Sequence, residues 1–92
     1  MNLIPGEIYQ LKQGGSISGF DSSFCVVCEA EEIVVYLGVF RDKSENCERH
    51  CFYHIDKCKY IGWSQDKYNQ SMIDEYFEKI YEKQEENQTT II

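Results

Sequence analysis

The stretch IVVYLGVF, residues 33–40, decides how this chain is read. Its β-branched and aromatic residues suit a pleated, half-buried surface better than a helix. Alternate side chains of a strand share a face, so Ile33, Val35, Leu37 and Val39 fall together. The preceding run SFCVVCEA (23–30) has the same character and collects Phe24, Val26, Cys28 and Ala30 on one face. The Glu31-Glu32 link between the two runs lacks the glycine or asparagine that a tight hairpin favours, which predicts a longer connection.

Further strands follow on either side. GEIYQL (6–11) comes after Pro5-Gly6 and places Tyr9 and Leu11 on one face, and the GGS at 14–16 breaks it. RDKSEN (41–46) reads as a polar loop, and HCFYHI and CKYIGW supply a fourth and a fifth strand with a break near Asp56-Lys57. The strands thus occupy residues 6–63. Beyond them, Ser71 reads as an N-cap with Asp74 and Glu75 in the first turn. Ile73, Tyr76, Phe77, Ile80 and Tyr81 then recur on one helical face, predicting an amphipathic helix over 71–85 with Phe77 buried against the sheet. The tail 86–92 loses the period and is expected to fray.

The reading is therefore α+β and mainly β: a small five-stranded meander or barrel followed by one C-terminal amphipathic helix. In strand count and spacing it resembles the small barrels of the Src-homology-3 kind, without any family motif. A length of 92 residues predicts a single domain, 1–92, small enough that its stability margin is thin.

Composition excludes several functions. The formal charge of -7 repels polyphosphate, so general nucleic-acid binding is not expected, nor is binding to an anionic membrane. Residues 65–92 carry seven acids and three bases, so the tail is the acidic element. No run approaches the ~18 apolar residues of a membrane span and no leader precedes the first strand, which together predict a cytoplasmic protein. Five cysteines in a reducing cytosol stay as thiols.

CERHCFYHIDKC (47–58) raises the question of a metal. In a helix, Cys47, Cys51, His54 and Cys58 would share a face but span about 16 Å from first to last. In a strand, His50 and His54 share a face about 13 Å apart while Cys51 points the other way. One zinc ion cannot span either set, so a site requires a fold that brings Cys25 or Cys28 beside this stretch, or a knuckle at Cys47–Cys51. CVVC itself favours an extended segment with its thiols on opposite faces. No metal and no cofactor are expected. Nothing pairs a nucleophile with a base across a cleft, and no phosphate loop, dinucleotide fingerprint or hydrolase elbow occurs, so the chain reads as non-enzymatic.

Aromatic density remains. Phe52, Tyr53, Tyr60, Trp63 and Tyr68 are interleaved with Arg49, Lys57 and Lys59, residue types that carry binding energy at interfaces. The candidate binding residues are Trp63, Tyr60, Phe52, Tyr68, Arg49 and Lys59, with Trp63 expected at the rim where its strand leaves the sheet. Three functions are open. The first is a small acidic protein-binding module, an inhibitor or adaptor of the type that phages and mobile elements encode, whose partner is another protein or a second copy in a homo-oligomer. The second is an oligomeric nucleotide-sequestering protein with bases stacked on its rings. The third is a zinc-stabilised module.

Overall fold

The computed structural model describes residues 2–20, 24–43 and 46–80. The molecule is mainly β. Strands β1 (Ile8–Leu11), β4 (Ile33–Asp42), β5 (Cys47–His54), β6 (Lys59–Ser64) and β7 (Phe77–Lys79) form an antiparallel sheet in the order β6-β5-β4-β1-β7. A separate hairpin pairs β2 (Gly15–Ser18) with β3 (Cys25–Cys28). Two helical turns, α1 (Lys67–Ser71) and α2 (Ile73–Tyr76), join β6 to β7. The five-stranded sheet is not closed into a barrel. The hairpin lies beside its β6 edge, where Gly19 bridges Ile61 and the Phe20 N–H donates to the Tyr60 carbonyl at 3.1 Å.

Alternation places the core. Tyr9 and Leu11 of β1, Val26 and Cys28 of β3, Phe52 of β5 and Ile61 of β6 are buried together, each on the face its strand period assigns. β4 departs from the expected phase. Val34 and Tyr36 enter the core, whereas Ile33, Val35 and Leu37 are half-buried and Val39 is exposed. Val39 leaves the face of Ile33, Val35 and Leu37 at a β-bulge: Tyr36 pairs with Phe52 and Gly38 with Cys51, leaving Leu37 as an extra residue. One extra residue exchanges the two faces of everything beyond it. Phe40 and Asp42, which a regular strand would send inward after Tyr36, instead share the opposite face with Arg49. The strand also runs through Arg41 and Asp42, residues expected in a loop.

The C-terminal helix is corrected. Asp66, not Ser71, caps the first turn: its carboxylate accepts the Asn69 N–H at 2.9 Å, and the Ser71 hydroxyl instead donates to the Tyr68 carbonyl. Helical geometry ends at Tyr76, and Phe77 opens β7 opposite Leu11. The reason is the unpaired edge of β1, whose backbone groups outweigh continuation of a short exposed helix. Residues 81–85 of the expected helix and the tail 86–92 lie outside the described residues. β1 ends at Leu11, before the GGS expected as a break at 14–16, but Gly15 and Ser16 of that stretch open β2, because CVVC needs a partner edge.

Phe77 is buried as expected, 1% exposed, with its ring stacked on Phe52 at 4.5 Å between centroids. Replacing Phe77 by alanine is expected to cost about 3–5 kcal/mol in denaturant unfolding, a large part of the stability of so small a domain. Gly38 has φ 123°, a conformation that side-chain-bearing residues rarely adopt. Gly38→Ala should therefore destabilise by about 1–3 kcal/mol although a methyl group has room there, a combination that thermal unfolding of the single variant checks.

Candidate functional site

The inward face of β5 carries His50, Phe52 and His54 in a row, so both histidines point into the protein. His50 joins the sheet to α1: its Nε2 lies 2.9 Å from the Gln70 Oε1 and its Nδ1 lies 2.8 Å from the Tyr36 hydroxyl. The Gln70 oxygen can only accept, so Nε2 carries the hydrogen and Tyr36 donates to Nδ1. Burial pushes the Tyr36 phenol above its ordinary pKa, which keeps it a donor.

The opposite face holds a wide recess. It encloses about 640 Å³ between Phe20, Phe24, Phe40, Cys51 and Tyr60, with Arg41 and Lys59 at its margin. Phe24, Phe40 and Tyr60 are 39%, 49% and 54% exposed. The bulge in β4 brings Phe40 here, where its ring meets Phe20 edge-on at 6.4 Å. Lys59 holds its ammonium 5.6 Å from the centre of the Phe24 ring. Beneath this face Arg49 is buried, donating to Asp42 at 3.1 Å and to the Phe20 carbonyl at 3.2 Å. Gly62 makes that packing possible, since a Cβ there would stand 2.9 Å from the guanidinium carbon.

A smaller recess of about 300 Å³ lies between Trp63, Tyr68, Tyr76 and the Gly14-Gly15 turn. Trp63 is half-buried at its wall, touching Tyr76 and Phe77 with its ring and donating its Nε1–H to the Asn69 carbonyl at 2.7 Å. The six residues singled out from the sequence are thus dispersed. Tyr60 and Lys59 line the large recess, Trp63 and Tyr68 line the small one, Phe52 is wholly inside the core, and Arg49 is engaged below the surface. Phe24 and Phe40 were missed as site residues. The signal for Phe40 was Gly38, since an isolated glycine inside a strand pattern marks a bulge.

The fold also brings Cys28 beside the CERHCFYHIDKC stretch. Ligand atoms of Cys28, Glu32 and His54 all lie within 4.8 Å of one another. His54 is fully buried, with Nε2 at 2.8 Å from Glu32 Oε1 and Nδ1 accepting the Lys57 N–H at 3.3 Å. The Glu29 N–H, donated to Glu32 at 2.8 Å, holds that carboxyl below its ordinary pKa, aided by His54 and Lys57. As a cysteine–histidine–acid set this is not poised for nucleophilic catalysis. Both ring nitrogens are engaged, and burial together with the Glu32 charge pushes the Cys28 thiol up.

Compared with known protein families, with curated proteins and with solved structures, the chain matches none. No helix among the described residues is long and apolar enough to cross a membrane.

The cap of α1 gives a pH test. Asp66 is held at about 2, against an ordinary 3.8, first by the Asn69 N–H and then by the Ser64 hydroxyl. A depressed carboxyl stabilises the fold fully above its unfolded value and loses that contribution as pH falls through its folded one. The Asp66 carboxyl carbon should therefore titrate in NMR with a midpoint near 2, and fraying of α1 should set in between about pH 4 and pH 2.

Proposed function

We propose that this chain is a small non-enzymatic binding module whose large recess receives an apolar side chain of a protein partner, flanked by acidic residues. The observation that carries the reading is the recess of Phe24, Phe40 and Tyr60: three rings left substantially exposed around about 640 Å³. Large apolar side chains gathered at one exposed place mark interaction surfaces, and aromatic residues with a neighbouring cation are the anchors that dominate interface energetics. Arg41 and Lys59 supply the polarity of the choice. On a chain of charge -7 they make this margin locally basic, so a partner segment with carboxylates beside its apolar anchor meets the least repulsion here.

The nucleotide-sequestering alternative is less well supported. Of the cations it needs, Arg49 is engaged inside with Asp42 and Lys57 lies 3.6 Å from Glu32, which leaves Lys59 apart from both. At the recess a phosphate would meet Arg41 and Lys59, of which Arg41 already donates to the Asn46 side chain at 2.6 Å.

Short synthetic peptides test the proposal, with one phenylalanine or leucine between glutamates and control peptides bearing lysines in place of the glutamates. In amide NMR spectra the acidic series should move the resonances of Phe24, Phe40, Cys51 and Tyr60, and the basic series should not. Tyr60→Ala should weaken the acidic peptide by tenfold or more, about 1.4 kcal/mol, with little change in stability because the side chain is exposed. Equal binding of both series, or shifts confined to the recess beside Trp63, would refute it. Concentration-dependent broadening of the same resonances without peptide would instead identify the occupant as a second copy of the chain.

A further inference from the structure

We propose that Cys28, Glu32 and His54 form a zinc site that fastens the β2–β3 hairpin to the five-stranded sheet. The three residues come from places that the fold alone unites. Cys28 ends β3, Glu32 sits in the connection just before β4, and His54 ends β5 opposite Val34. Glu31, at φ 75°, turns the connection so that Glu32 comes back toward Cys28. Thiolate, carboxylate and imidazole form a donor set of intermediate softness that suits zinc better than the hard cations, which take oxygen alone.

Distances and burial agree. Zinc bonds of about 2.0–2.3 Å in a tetrahedron place neighbouring ligand atoms about 3.3–3.8 Å apart. The present spread of up to 4.8 Å closes with a shift of about an ångström, and Glu32 and His54 already touch at 2.8 Å. His54 and Cys28 are buried whereas the Glu32 side chain is 16% exposed, so an ion would enter from the Glu32 side and keep a water as its fourth ligand.

The protons balance simply. In the metal-free arrangement the hydrogen of the neutral His54 ring lies on Nε2, between the ring and Glu32, because Nδ1 accepts from the Lys57 N–H. That hydrogen stands where the ion would stand. Zinc takes Nε2, the ring hydrogen is relocated to Nδ1 through solvent, the Cys28 thiol proton is released, and Glu32 remains ionised. One dication with two anionic ligands is neutral overall, which limits the cost of burying it. The relocated hydrogen faces the Lys57 N–H, so that bond, the longer of the two at His54, must open and the 55–58 turn must shift. Lys57 also lies 3.6 Å from Oε2 of Glu32, whereas Oε1, which accepts the Glu29 N–H at 2.8 Å, already faces Nε2 and would turn to the metal the lone pair that now meets the ring hydrogen.

The full chain, stripped with a chelator and titrated with zinc chloride, decides the matter. Calorimetry should give one zinc per chain, with heats in buffers of different ionisation enthalpy reporting release of one proton, and the melting temperature should rise. Amide NMR of the wild type should show the Lys57 resonance moving with zinc, a readout that needs no variant. Cobalt in place of zinc should give a thiolate charge-transfer band that Cys28→Ser abolishes and that Cys25→Ser and Cys47→Ser, at exposed thiols, retain. Glu32→Gln should weaken zinc at least tenfold. Absence of zinc binding by the wild type, or binding with shifts confined to the exposed cysteines, overturns the site whether or not the Cys28 variant folds. Persistence of the cobalt band in a folded Cys28→Ser protein overturns it equally.

Discussion

The bulge at Leu37, with Gly38 beside it, is the constraint on which the rest of the structure turns. β4 and β5 form the longest pairing in the sheet, and a regular β4 would have turned Phe40 and Asp42 to the face of Tyr36, away from Arg49. Before the bulge, Tyr36 reaches inward to His50 and Phe52. After it, Asp42 faces outward to meet Arg49, and Phe40 joins Phe20 and Phe24 on the opposite surface. A left-handed conformation costs a glycine little, so the fold obtains two differently composed faces from one strand at small energetic expense.

The core that this arrangement encloses is aromatic at its centre and polar at both ends. Phe52 stacks on Phe77 and leans on Tyr36, while the imidazoles of His50 and His54 close the row on either side. Buried imidazole is tolerable only with its nitrogens paired, and each of the four has a partner. Among the described residues no buried side-chain nitrogen or oxygen lacks one. These bonds also determine position: His50 reaches α1 through Gln70, and His54 reaches the β3–β4 connection through Glu32. Histidine therefore serves here as an internal fastener between the sheet and the elements laid against it.

The two faces suggest a division of labour. On the inner side, polar groups are matched to one another and the hairpin is held near β6 by few backbone bonds, which makes side-chain links such as that of Glu32 to His54 important to its attachment. On the outer side, rings remain partly uncovered and the margin is basic although the chain is acidic. A surface of that kind gains most from association, because burying exposed aromatic area brings a favourable term without first breaking internal bonds.

The alternation of single strands was readable from the residues themselves. Tyr9 with Leu11, Val26 with Cys28, and the shared face of His50 and His54 follow from a two-residue period that acts locally and needs no knowledge of neighbours. The outward thiol of Cys51 and the inward Ile61 follow in the same way. What spacing alone could not decide lay between distant segments. Phe77 has a helical pattern yet becomes a strand, because the free edge of β1 is available only after folding. GSIS pairs with CVVC for the same reason. The candidate surface was legible in part, through Tyr60 and Lys59, but Phe24 and Phe40 reach it from other strands, and Cys28, Glu32 and His54 meet across a gap in sequence that no local period spans. Tertiary structure decided these because they depend on which edges and faces meet, and that is settled by burial of the whole core rather than by any residue's own preference.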